Sequence, residues 1–230
     1  AIYKTRTNTI ADLHGYDVSG LYCEKQAVKV SFELHIYDIA SRNKACQNVI
    51  NWAKNGGRLE INDRADQYLT VRCAELPVIN SVRDWTEPLT ITFETVAIPF
   101  WMATTKNTLT LSGKSTTGTL KVTGNADNTA VTVNVTAKAT ITSLQIVCGG
   151  TKLSFSKAAT GFSLSTGQVL KITYTNDRFL SVKVGSTSFL KHLSADSNDR
   201  LLATCGANNT VKVTASNSVT AAFQAEGLWL

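Results

Sequence analysis

Leu144–Phe155 reads LQIVCGGTKLSF: two short apolar-alternating runs, Leu144–Cys148 and Lys152–Phe155, on either side of Gly149-Gly150. A period of two marks a half-buried strand, and glycine supplies the turn between the runs. The same pattern repeats outward in both directions. Alternating runs fall at Thr119–Val122, Ala130–Val135, Leu170–Tyr174, Ser181–Val184, Thr210–Thr214 and Val219–Gln224. Turn signals separate them at Ser112-Gly113-Lys114, Gly124-Asn125, Thr160-Gly161, Ser165-Thr166-Gly167 and Val184-Gly185-Ser186. From Thr104 onward no helical periodicity interrupts the series, and no repeat of fixed period is present. About eight short strands at that spacing predict a β-sandwich of jelly-roll type.

The first half has a different character. Ala27–Tyr37, AVKVSFELHIY, alternates, with Val28, Val30, Phe32, Leu34 and Ile36 on one side. Asp38–Asn55 then predicts a helix over residues 40–55. Ser41 is a candidate cap, Ala45, Val49 and Trp52 form the inner stripe beside Cys46 and Ile50, and Asn55-Gly56-Gly57 is the stop. Arg58–Ile61 and Tyr68–Cys73, joined through Asn62-Asp63-Arg64-Ala65-Asp66, predict a hairpin with a long charged tip. Leu89–Val96 is a further strand, ended by Pro99, because proline donates nothing to a ladder. The expected fold class is mainly β: a sandwich-like domain with one helix over residues 1–102, then a jelly-roll sandwich over 103–230.

The 230 residues are 43% hydrophobic and 17% charged, enough to bury a core. No apolar run approaches the roughly 20 residues that cross a bilayer, so membrane insertion is not expected. No signal peptide is legible at Ala1, and an opening Ala reads as a processed, trimmed or engineered start. Ala1–Met102 holds 11 basic and 12 acidic residues, a net of −1, and Ala103–Leu230 holds 12 and 5, a net of +7. The second-half lysines stand singly along strands without interleaved aromatics, the pattern of solvated faces and blunted edges; sequence-specific nucleic-acid binding is not expected. Cys23, Cys46, Cys73, Cys148 and Cys205 lie scattered in apolar runs and read as buried small hydrophobes of a reducing compartment. Without CxxC or CxxH spacing, neither a metal site nor a cofactor is expected.

Catalytic signatures are missing. None of GxSxG, HExxH, GxGxxG or GxxxxGK[ST] occurs, and His14, His35 and His192 have no nucleophile and carboxylate at suggestive spacing. Asp127, Asp177, Asp196, Asp199 and Glu226 are the only second-half carboxylates, and Asp177, Asp196 and Asp199 sit in turn-like sequence. The chain is therefore not expected to be an enzyme. Sugar binding is the competing reading, with Phe162 and Phe179, whose neighbours are turn-like, as the exposed ring platform.

Three stretches bear a family likeness: Arg6–Tyr22 with Ala27–Tyr37; Leu89–Trp101 (LTITFETVAIPFW); and Gln168–Leu230 with its terminal Phe223-x(5)-Trp229. In the order of these elements the chain resembles the siphophage distal tail proteins. It departs from them where they carry strands ahead of Ala1, and at Gly206-Ala207-Asn208-Asn209, where many members have a Pro-Gly-x-Asn turn. The resemblance implies a ring-forming first domain and a galectin-like or carbohydrate-module-like second one. It implies a virion protein, made in the host cytoplasm, with six copies per ring. The ring would join the tail tube to the tip hub or baseplate and hold receptor-binding or other tip proteins. A protruding hairpin can reach a neighbouring copy, so Arg58, Glu60, Asp63, Arg64, Asp66 and Tyr68 are the candidate interface.

Overall fold

The computed structural model describes residues 3–9, 16–23, 27–35, 39–76, 86–96, 98–175 and 179–230. Within 3–9, 16–23, 32–35, 39–40, 42, 86–89 and 175 it describes the backbone. Strand far outweighs helix among the described residues, so the class is mainly β. The chain divides into two compact units, Ala1–Phe100 and Trp101–Leu230.

In the first unit, β1 (Tyr3–Thr9) and β2 (Tyr16–Cys23) form an antiparallel pair. β3 (Ala27–His35) precedes α1 (Ile39–Lys54); β4 (Gly57–Leu59), β5 (Gln67–Glu75) and β6 (Thr86–Thr95) follow. The sheet order is β4–β5–β6–β3, antiparallel throughout. Leu59, Leu69, Val71, Ile91, Phe93 and Thr95 are its buried side chains among the described residues, and α1 packs on β5 with Cys46 and Ala53 buried. Two helix expectations need correction. The helix starts at Ile39, so Ser41 stands inside its first turn and does not cap it. The buried stripe is Cys46 to Ala53, with Val49 and Ile50 half-buried between, while Trp52 lies outside it at 59% exposure. A stripe shifted by one position turns about 100° around a helix, which carries Trp52 off the packed face. Its ring still meets Phe93 edge-on, with centroids 6.0 Å apart.

The second unit opens with β7 (Trp101–Ala103), which pairs with the chain's last strand, β17 (Leu228–Trp229). Between them lie β8 (Asn107–Lys121), β9 (Asn128–Ala137), β10 (Ser143–Cys148) and β11 (Thr151–Ser156). The one-turn helix α2 (Lys157–Thr160), β12 (Val169–Thr175), β13 (Phe179–Val184) and β14 (Thr187–Ser188) come next, then β15 (Leu202–Thr204) and β16 (Asn208–Ala225).

β16 organises this unit. Its first part, Val211–Ala215, pairs with β10; its second, Val219–Ala225, pairs with β9; β8 runs beside both. β16 is therefore shared by two layers, β11–β10–β16–β8 and β14–β13–β12–β9–β16–β8. Its odd-numbered residues Val211, Val213, Ala215, Val219, Ala221, Phe223 and Ala225 are all buried. Phe155, Ile146, Val133 and Ile172 fill the same core. The Ser112-Gly113-Lys114 segment expected as a turn is the interior of β8, and Thr210–Thr214 and Val219–Gln224 are one strand. The ladder shifts between Thr214 and Val219, opposite Gly113 (φ +142), where both long strands bend together. The bend turns the two halves of β8 toward each other: a Cβ on Gly118 would lie 2.7 Å from a Leu111 methyl. Two alternating runs meeting at a polar glycine segment look like two strands in sequence, because the bulge interrupts the period.

The corner is tied from outside the ladder. Thr142 N–H donates to Ser216 Oγ (2.8 Å), Asn217 Nδ2 to Thr140 O (2.7 Å) and Lys138 N–H to Ser218 O (3.0 Å). Asn209, 5% exposed, closes the far end of β16. Its amide nitrogen donates to the carbonyls of Leu120, Thr204 and Ala207 (3.3, 3.0 and 3.2 Å), and its Oδ1 accepts from Thr204 N–H (2.8 Å). Asn209→Ala takes the partner from one buried and three part-buried backbone groups and is expected to cost on the order of 2–4 kcal/mol, measured by urea unfolding. A change below about 0.5 kcal/mol would show that water satisfies them equally well.

Candidate functional site

The charged hairpin is built on a buried leucine pair. Leu59 of β4 stands opposite Leu69 of β5, both in the core, and Arg58 stands opposite Thr70. A 3-10 turn over Asn62–Arg64 crosses the tip, closed by Arg64 N–H to Ile61 O (2.9 Å). Arg58 and Arg64, the arginines at the tip end of the hairpin, are engaged within it. Arg58 Nε lies 2.5 Å from Glu60 Oε1, and its guanidinium sits over the Tyr68 ring, 4.1 Å from the centroid. Arg64 Nη1 donates to Gln67 Oε1 (3.1 Å). Asp63 and Asp66 stand exposed at the tip, with Glu60 53% exposed beside them. The six expected interface residues thus share one hairpin, and its outermost charge is acidic. Further along the sheet Arg72 pairs with Glu94, and Thr92 Oγ1 donates to Glu75 Oε2 (3.1 Å). Trp52, at 59% exposure, is an apolar surface residue of this unit that helical periodicity assigned to the core. Its surface position depends on which helix flank meets the sheet.

In the second unit the two expected platform rings separate. Phe162 is fully buried, 5.1 Å from Phe155 and 6.5 Å from His192 between ring centroids, so it cannot serve as an exposed platform. Its flanking Gly161 and Ser163 are exposed, but the ring itself is an interior wedge. Phe179 is 71% exposed at the start of β13. His192 is held structurally: Nδ1 donates to Thr160 O (2.6 Å), the Thr160 hydroxyl is shared between the carbonyls of His192 (2.7 Å) and Ser156 (2.8 Å), and its ring packs 5.1 Å from Phe189. His14 and Asp177 lie outside the described residues. Asp196 pairs with Lys152 (2.7 Å), and that hydrogen bond holds its carboxyl below the usual range. No group of three His, Cys, Asp or Glu side chains able to hold a metal occurs among the described residues.

The four cysteines whose side chains are described are packed as small, free thiols. Cys46, Cys148 and Cys205 are buried, and Cys73 is half-buried, its thiol donating to Glu75 O (3.3 Å); all four are free. Burial pushes the Cys148 thiol from 9.0 up to about 11 and raises Cys205 as well. Tyr174, whose oxygen accepts from Leu201 N–H (2.8 Å), is pushed by burial from 10.0 up to about 12.

No protein-family model matches the sequence, and neither does any curated protein. Among solved structures, the chain is similar to the Dit (gp 19.1) protein of phage SPP1, described as a paradigm of hub adsorption apparatus in Gram-positive-infecting phages. The match covers 98% of this chain and 88% of that one, with a TM-score of 0.68 at 12% identity. Two structures of the phage P2 baseplate in its activated conformation, with calcium and with strontium, match 98% of this chain and 86% of theirs. Their TM-scores are 0.48 and 0.47, each at 11% identity. At such identities the likeness to the SPP1 protein is one of fold.

The raised groups have a direct consequence for pH. Cys148 and Tyr174 are held neutral in the fold, so their contribution is whole below about pH 9 and is lost as the pH climbs through about 11 and 12. The melting temperature should stay level to about pH 9 and fall above it. At about pH 8, an alkylating reagent should label Cys73 while sparing Cys148 and Cys205 until unfolding. Labelling of Cys148 as fast as Cys73 would contradict its burial.

Proposed function

We propose that the chain is a distal tail protein of a siphophage: a structural, non-catalytic subunit of the virion, assembled at the tail tip. The observation that carries this reading is a fold that matches 98% of this chain to 88% of a phage hub adsorption protein. Six copies of the first unit form a ring that continues the tail tube and joins it to the tip hub or baseplate. The second unit holds receptor-binding or other tip proteins. Synthesis in the host cytoplasm suits a chain whose described cysteines are free thiols.

A ring of heterologous contacts requires two different, complementary patches on each copy. The hairpin tip is suited to be one of them. Its arginines are occupied by Glu60, Tyr68 and Gln67, which leaves Asp63 and Asp66 facing outward for a basic patch on the neighbour. Such a contact is partly screened by salt.

Light scattering after size exclusion is expected to find a species near six times the 24.8 kDa chain. A monomer at every concentration, with or without the tube and hub proteins, overturns the ring. Reversing the tip with Asp63→Lys and Asp66→Lys is expected to lower the assembled fraction at least about tenfold, with the melting temperature of the subunit preserved. An unchanged mass in that variant removes the hairpin from the interface and leaves the ring standing.

A further inference from the structure

The outer face of the β14–β13–β12–β9–β16–β8 layer carries a charge arrangement that the fold does not need. In one row across it, the paired positions are Ser188, Lys183, Lys171, Asn134, Ala222 and Thr110. All six side chains face outward, opposite in phase to the buried Ile172, Val182, Val133, Ala221 and Phe223. Lys171 and Lys183 stand directly opposite each other, which puts their Cβ atoms about 5 Å apart. Both are exposed, and neither makes an ion pair with a described residue. No Asp or Glu stands on this face among the described residues. Glu226, at its border, is engaged by Lys106 (3.1 Å).

Like charges directly opposite on a sheet destabilise it. Threonine, abundant elsewhere on this face, is a better strand former and carries no such cost. Solvation of the face asks for one lysine here, not for two in direct opposition, and a local cost of that kind is expected at functional positions. The rest of the row supplies hydroxyl and amide groups, the complement of sugar hydroxyls. On β13, Ser181 separates Lys183 from Phe179, which faces the same way with 71% of its surface open. Four strand residues put the ring about 13 Å from the lysine pair, a span that a short run of sugar units crosses. Exposed aromatic rings stack on the apolar faces of sugars, and paired ammonium groups receive phosphate or carboxylate oxygens.

We propose that this face binds an anionic glycan, with the charged groups of the polymer between Lys171 and Lys183, a sugar ring on Phe179, and hydroxyl contacts from Ser181 and Asn134. The pair neutralises only two charges, too few for the many phosphate contacts by which proteins hold duplex DNA. The site requires the second unit alone and is independent of the ring.

The test uses the full chain immobilised on a biosensor. The probes are poly(glycerol phosphate) bearing glucosyl groups, uncharged dextran and a short DNA duplex. The parent is expected to bind the glycopolymer and to hold dextran and DNA at least about tenfold more weakly. Lys171→Thr and Lys183→Thr are each expected to lose about tenfold in glycopolymer affinity while melting at or above the parent temperature, since each removes the like-charge contact. Phe179→Ser is expected to weaken glycopolymer binding several-fold at unchanged stability. The proposal is overturned by no glycopolymer binding in the parent, by DNA bound as tightly as the glycopolymer, or by glycopolymer affinity indifferent to both lysine variants.

Discussion

The second unit depends on one constraint: β16 must satisfy two different neighbours in succession. Over Val211–Ala215 its backbone is committed to β10, and over Val219–Ala225 to β9. A flat strand cannot serve both, because each partner belongs to a different layer. The ladder shift opposite Gly113 supplies the bend, and β8 follows it. A single inward phase of small and medium apolar residues, Val, Ala and Phe, then lines both halves of the core. Everything else in the unit is placed against this folded ribbon, including the close approach of Leu111 to Gly118.

Polar groups maintain that geometry at the two places where the ladder itself falls short. At the corner, Ser216 and Asn217 take up backbone groups of the β9–β10 connection. At the start of β16, Asn209 replaces missing strand partners with its own amide, holding Leu120, Thr204 and Ala207 together. These bonds matter because an unpaired buried backbone group costs far more than a made bond gains. The edge of β11 is treated in the same way. Ser194 N–H donates to Ser154 O, and Lys152 N–H to the Asn198 side chain, so an irregular segment occupies the ladder positions of a further strand.

Both candidate surfaces owe their character to which charges are already engaged. The hairpin holds basic and acidic residues in near balance by composition, yet its arginines are absorbed internally and the tip presents carboxylates. On the second unit the reverse holds: Lys152 and Lys106 are matched by Asp196 and Glu226, while Lys171 and Lys183 face each other with no ion-pair partner among the described residues. Formal charge counts describe the reservoir, and hydrogen-bond geometry decides what remains for a partner.

Period-two alternation with glycine turns made the mainly-β class, the hairpin at Gly149-Gly150, the turn at Gly185-Ser186, and the one long helix legible from residues alone. These are local properties, set by side-chain spacing and by which residues tolerate a left-handed turn. The continuity of β8 and β16 was not legible, because a bulge breaks the alternation and resembles a turn until a partner strand is seen beside it. The fates of Trp52 and Phe162 were equally hidden, because each ring sits beside neighbours that fit either burial or exposure, whereas the exposure of Phe179 was legible in its turn-like setting. The facing of Lys171 and Lys183 depends on strand register. Tertiary structure alone decided these points, because burial and cross-strand pairing join residues far apart in sequence, and no local pattern encodes which distant surface arrives to cover a given side chain.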